Sequence, residues 1–355
     1  MLASMKRRHF LSAGAASMVG VGAWADAQPP IRLLAGFQAG GSTDMLARIV
    51  AAALQDVLGR SVIVDNRPGA GGRLAMELVR ASKPGEDIFV VAPQGSLTLF
   101  PYVYKNLRYD PVDDFTPISR LITFDYALTV GPGTPARNLA EYVSWVAAHP
   151  ANAIYSSAGA GTTPHFVGVA FHRAAGAPGA HVPYKGSAQA LPDLIAGRVP
   201  AMVATMADSL QQHRTGQLRI IGTAGAERST LVPEVQTFQE AGIPVVVPGW
   251  NGLYGPKGIP AARLADLNAA VQKALMTPQV ITKLLGLGMV SAPSTSSELA
   301  ALQKQEFLFW NPIVRSSGFK CYVPVYLRIG GGCLYRERRE RIFELHRKER
   351  GIQRT

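Results

Sequence analysis

Three stretches of the chain share one chemical design. Gly40-Gly41-Ser42-Thr43-Asp44, Gly159-Ala160-Gly161-Thr162-Thr163 and Tyr184-Lys185-Gly186-Ser187 each place glycine or small hydroxyl residues between a short apolar run and a helical pattern. A helix that starts there leaves unpaired backbone N–H groups at the positive end of its dipole, so each stretch can hold an anion without a charged side chain. Three such stretches facing one cleft would suit a small carboxylate. Within them, Asp44 reads as an N-cap or internal hydrogen-bond acceptor in preference to a ligand contact. Lys185 reads either as a neutralising charge for a carboxylate or as a solvated lysine. His165, in the first turn of its helix, reads as a surface or lobe-contact residue. Gly159 to Pro164 imitates a dinucleotide fingerprint, but Pro164 stands where the last glycine belongs, which argues against a nucleotide.

Other chemistries find little support. No G-x-S-x-G elbow, H-E-x-x-H or G-K-[ST] phosphate loop occurs, and His149, His165, His172, His181 and His213 have no partners at metal-ligand spacing. The expectation is therefore no catalytic residue, no metal and no cofactor. A secreted serine hydrolase using Ser156, Ser157 or Ser187 is the weaker alternative. Both cysteines, Cys321 and Cys333, lie near the C-terminus, so the body offers no thiolate chemistry and no disulfide framework. If the tail is exported, a bridge between those two is conceivable.

The elements that must position these stretches alternate short β-branched runs with longer helical patterns, which predicts a parallel α/β architecture. Strands are expected at 31–35, 62–65, 88–92, 122–130, 154–157, 180–182, 201–204 and 218–222, with 245–255 returning to the first lobe. Helices are expected over 42–58, 73–81, 139–149, 164–175, 188–196, 262–276, 278–287 and 296–316. The segment 101–117, rich in Tyr, Pro and Asp, reads as an irregular connection. Two crossings between lobes make a hinge. Lobe 1 is expected over residues 28–127 and 244–320, and lobe 2 over 128–243. A chain this long exceeds what one hydrophobic core sustains, which also favours two lobes.

The first 27 residues spell an export signal: Lys6-Arg7-Arg8, an apolar run to Trp24, then Ala25-Asp26-Ala27. Arg7-Arg8 before His9-Phe10-Leu11 leaves twin-arginine and general secretion both open. A periplasmic protein cleaved near Ala27 is the expectation. More than half of the formal charge of +12 sits in this signal and in residues 321–355, so the body is only mildly basic. That bias fits an anionic small ligand and gives no case for nucleic acid. After Lys320 the composition changes abruptly to a basic stretch, read as a disordered or frameshifted tail.

Four motifs carry a family resemblance. Phe37-Gln38-Ala39-Gly40-Gly41-Ser42-Thr43-Asp44, Asn66-Arg67-Pro68-Gly69-Ala70-Gly71-Gly72, Pro183-Tyr184-Lys185-Gly186 and Trp250-Asn251-Gly252-Leu253-Tyr254-Gly255-Pro256 resemble the Bug-type receptors of tripartite tricarboxylate transporters. The resemblance implies a type II periplasmic-binding-protein fold with a small carboxylate in the cleft between two hinged lobes. It further implies that the ligand meets backbone groups and bridging water from Ala39, Gly40, Gly41, Ser42 and Thr43. On the second lobe it implies contacts from Ser157, Gly159, Gly161, Thr162 and Thr163. Asp208, in Met206-Ala207-Asp208-Ser209, matches a family aspartate expected to meet a ligand amine or hydroxyl. The implied partners are membrane permease subunits, with a sensor kinase as the alternative. Two departures concern the loops: Gln38-Ala39 stand where the family carries prolines, and Pro84-Gly85-Glu86-Asp87-Ile88-Phe89 replaces its usual turn. A third is that the family ends near Lys320.

Overall fold

The computed structural model describes residues 29–316. The export signal and the basic tail lie outside the described residues. The first unit runs β1 (Ile31–Ala35), α1 (Ser42–Leu58), β2 (Val62–Asn66), α2 (Arg73–Ala81) and β3 (Ile88–Pro93). β1 pairs in parallel with β2 on one side and β3 on the other, and its side chains are almost all buried. Such double-sided burial is what a nearly continuous apolar run predicts for a central parallel strand. On α1, Leu46, Val50 and Leu54 recur at four-residue spacing and are buried, and Gly59 ends the helix in the left-handed conformation.

The chain then passes through two single-turn helices, α3 (Gly95–Thr98) and α4 (Phe100–Val103), into β4 (Phe115–Val130). β4 begins seven residues before the expected start at 122 and replaces the end of the supposed irregular connection. Pro117 reads as a strand breaker, and two register shifts against the neighbouring strand scramble the two-residue alternation that would have revealed it.

The second unit contains α5 (Leu139–Ala148), β5 (Ile154–Ser157), α6 (Thr163–Ala174), β6 (Ala180–Pro183), α7 (Ser187–Ile195), β7 (Ala201–Thr205), α8 (Leu210–Arg214) and β8 (Arg219–Thr223). Asn138 caps α5 by accepting the Glu141 N–H, while Glu141 reaches back to the Arg137 N–H, a variant of the reciprocal cap. β9 (Pro248–Pro256) returns the chain, followed by α9 (Ala261–Leu275), α10 (Pro278–Gly286), β10 (Val290–Ser291) and α11 (Ser296–Ser316).

The strand order is β2-β1-β3-β9-β4-β7-β5-β6, with β8 and β10 also on β4. The sheet is therefore parallel only at its two flanks. Its middle is antiparallel, because β4 carries the chain out to the second lobe and β9 carries it back beside β4. β4 serves both lobes: residues 115–125 pair with β9, and Tyr126 to Val130 pair with β7. A long strand shared in this way is a stiff connection that can still flex where its partners change, between Asp125 and Tyr126.

Candidate functional site

The loop before α1 is held from within lobe 1. Asp44 accepts the Gly40 N–H at 2.9 Å, the Asn66 side-chain amide at 2.9 Å and the Arg48 guanidinium at 3.0 Å. Burial pulls its carboxyl upward, but these donors win and hold it below the usual carboxylate range. Asp44 is thus an internal acceptor. Asn66 also donates to the Phe37 carbonyl at 3.2 Å, so the first residue of the glycine motif ties β2 to this loop. Past it, Gly69, Ala70, Gly71 and Gly72 all have positive φ. A Cβ built on Gly36 would lie 2.7 Å from the Gly72 backbone, so the two segments cross too closely for a side chain.

The loop before α6 is pinned by the buried His165 and the half-buried His181. His165 Nδ1 accepts the Gly161 N–H at 3.0 Å, and the His181 ring stacks on His165 with centroids 3.9 Å apart. Ser157 Oγ lies 2.7 Å from His181 Nε2, and the Thr162 hydroxyl donates to the Gly159 carbonyl at 2.7 Å. Burial pushes His165 down to about 4, and burial with the neighbouring His165 pushes His181 down to about 3. Both rings are neutral at pH 7, as the acceptor role of His165 requires. His165 is 6% exposed, which corrects its reading as a surface residue. The Ser157–His181 pair has hydrolase-like spacing, yet Ser157 is fully buried, and neither residue lines the cavity.

Where the lobes meet, α1, α6 and α7 turn their first residues toward a common cavity of about 60 Å³. Gly41, Ser42 and Thr43 line it from α1, Thr162 and Thr163 from α6, and Ser187 and Ala188 from α7. Phe37, Phe100, Phe124 and Tyr126 add aromatic rings to the wall, and Gln38, Ser96 and Asn251 add neutral polar groups. Asp208, in a 3-10 turn after β7, reaches across and accepts the Ser42 N–H at 2.9 Å and the Thr205 hydroxyl at 2.8 Å. The Ser187 and Ser42 hydroxyls also donate to it. Burial raises its carboxyl, while these donors oppose the rise. A second contact joins the lobes at the rim, where the Tyr104 hydroxyl donates to the Ala160 carbonyl at 2.8 Å. The Arg73 guanidinium sits 3.8 Å over the Tyr104 ring, which orients the tyrosine.

The model of the tripartite tricarboxylate transporter family receptor matches residues 46–319. The chain belongs to this receptor family. A protein encoded in the tcbD-tcbE intergenic region of Pseudomonas sp. strain P51 is 32% identical over 320 residues, covering 88% of this chain and 95% of that protein. Among solved structures, MatC of Rhodopseudomonas palustris with bound malate aligns with a TM-score of 0.75 at 31% identity, over 80% of this chain and 98% of that one. The periplasmic binding protein BugD aligns with a TM-score of 0.78 at 27% identity, over 82% of this chain and 98% of that one. The receptor is of the Bug type, with the two-lobed type II fold.

Of the residues singled out from the sequence, Gly41, Ser42, Thr43, Thr162, Thr163 and Asp208 come together on the cavity wall. Ala39 and Gly40 are exposed at the rim, and Ser157, Gly159 and Gly161 are buried behind the wall. Lys185 is exposed and outside the cavity; its backbone N–H donates to the Gln189 side chain at 3.3 Å. The receptor's aromatic wall was missed. Phe37 lies in a recognised motif, but Phe100, Phe124 and Tyr126 read in sequence as ordinary core residues. Only the placement of α4 and of the β4 crossover turns them inward.

Proposed function

We propose that the chain is an exported periplasmic receptor that captures a small carboxylate between its lobes and delivers it to the membrane permease subunits of a tripartite transporter. It is a binding protein and not an enzyme. The observation that carries this reading is the meeting of three helix N-termini, from both lobes, on one cavity whose hydroxyls and amides are donors suited to a carboxylate. The malate bound by MatC, at similar length and fold, supports the same class of ligand. The change of strand partners at Asp125–Tyr126 supports lobes of residues 28–127 with 244–320 and of 128–243, closing about that point. The first 27 residues direct export, and cleavage after Ala27 releases the mature receptor. Binding residues are Gly41, Ser42, Thr43, Thr162, Thr163 and Asp208, with the other loop residues shaping their backbone.

Isothermal titration of the mature chain, unfolded and refolded to strip retained ligand, tests the reading against mono-, di- and tricarboxylates. Saturable binding of at least one acid is expected. No heat from any acid, with the chain shown to be refolded by circular dichroism, refutes it.

A further inference from the structure

Asn251 brings to the cavity wall a buried polar atom that the chain itself does not satisfy. It stands in β9 between Pro93 of β3 and Ile122 of β4, so the sheet fixes its backbone from both sides. The residue lines the cavity and is 4% exposed, and among the described residues nothing donates to its Oδ1. A buried amide oxygen without a donor is costly, and native proteins rarely leave one so. Its place on a binding wall calls for a ligand atom that completes it. Asp208, the carboxylate of the same wall, is in the opposite condition. It takes the Ser42 N–H at 2.9 Å, the Thr205 hydroxyl at 2.8 Å and the hydroxyls of Ser187 and Ser42. That set fills the lone pairs of a carboxylate, so Asp208 holds Ser42 and Ser187 in place and has little left for a ligand hydroxyl.

On the premise that the cleft holds a carboxylate, we propose that this receptor selects acids that carry a hydroxyl over their deoxy counterparts, and that Asn251 makes the selection by accepting the hydroxyl hydrogen at Oδ1. The helix N-termini supply donors for the ligand's carboxylate and nothing for an unfilled acceptor. An ionised carboxylate has no hydrogen to give and meets only the N–H side of an amide. A hydroxyl both gives and takes, so it satisfies the Asn251 amide at either end. A deoxy acid leaves Oδ1 buried and unpaired, which is the circumstance in which a polar site discriminates most strongly between near-isosteres. The selection is independent of how many carboxylates the ligand bears.

The test titrates the refolded mature chain with lactate and propionate, malate and succinate, and citrate and tricarballylate. Within each pair the acids differ by a hydroxyl and keep the same number of carboxylates, so charge cancels. Wild type is expected to favour the hydroxy acid by about tenfold or more in the pairs it binds. Asn251→Leu, similar in volume and without the amide, is expected to bring that ratio to within about threefold of unity while the deoxy acid keeps its affinity. A wild-type preference below about threefold in every pair that binds overturns the proposal and leaves the carboxylate-receptor reading intact. An unchanged preference in a folded Asn251→Leu chain overturns the role of Asn251. Silence toward every acid refutes the receptor reading itself. If Asn251→Leu does not fold, Asn251→Ala takes its place with the same expected collapse of the ratio.

Discussion

Replacing Glu306 by Gln should steepen the loss of stability on acidification by about 2–3 kcal/mol between pH 7 and pH 4.5. Glu306 projects from α11 toward Trp250, and burial pushes its carboxyl up to about 7. The Trp250 indole N–H tempers that rise without meeting hydrogen-bond geometry, and Oε2 is left unpartnered. In the unfolded chain the same carboxyl titrates near 4.5. Ionised Glu306 therefore destabilises the folded state at neutral pH, and that cost is relieved as pH falls from 7 to 4.5. His165 has the opposite sign. Burial holds it at about 4, against 6.5 when unfolded, so the unfolded chain takes up a proton that the folded chain refuses. Stability is lost as pH falls from 6.5 toward 4. Each displacement is about 2.5 units at 1.36 kcal/mol per unit, so the two nearly cancel in the wild type, at roughly 2–3 kcal/mol each over this window. His181 adds a further loss of the same sign as His165. The carboxylates held low by partners, such as Asp44 and Asp65, contribute equally to wild type and variant and drop out of the comparison. Urea unfolding followed by circular dichroism at pH 7, 6, 5 and 4.5 reads the difference. His165→Asn, whose amide oxygen can replace Nδ1 as acceptor, should instead flatten the profile. Wild-type and Glu306→Gln profiles that stay parallel within about 0.5 kcal/mol would refute the assignment of these buried charges.

Three further outcomes follow from the contacts between and within the lobes. Tyr104→Phe removes the hydroxyl that donates to Ala160 while keeping the ring under Arg73, and should weaken binding of the best carboxylate by about fivefold, near 1 kcal/mol, in calorimetry. Gly161→Ala should be far more damaging than Gly41→Ala: Gly161 has φ +78, and its Cβ would lie 2.7 Å from the Tyr104 hydroxyl and 2.8 Å from Val103, whereas a Cβ on Gly41 meets Ser187 at 3.4 Å without strain. Small-angle scattering should show Gly161→Ala more open with ligand than wild type, and equal profiles would contradict this. Asp44→Ala leaves the Gly40 amide and Asn66 side chain without their acceptor, and should lower the unfolding free energy by about 1–3 kcal/mol in denaturant titration.

The sequence by itself determined most of the elements because these are written locally. The spacing of Leu46, Val50 and Leu54 and the stop at Gly59 fix α1 within a residue. The repeated pattern of a strand, a small-residue loop and a helix identified the three stretches whose helices α1, α6 and α7 meet at the cavity. Motif order was enough to recognise the receptor family. What the sequence left undecided depends on groups far apart in the chain. Nothing local to Ser42 shows that its amide is capped by Asp208, and nothing near Gly161 shows that Tyr104 lies against it from the other lobe. His165 reads as an exposed polar residue until the return of β6 stacks His181 upon it. The antiparallel centre of the sheet escaped notice because Pro117 and two register shifts disguise β4. Backbone propensity and periodicity are properties of neighbouring residues. Burial, charge balance and donor pairing belong to whatever the fold brings within a few ångströms, and in this receptor those decide what the cleft can hold.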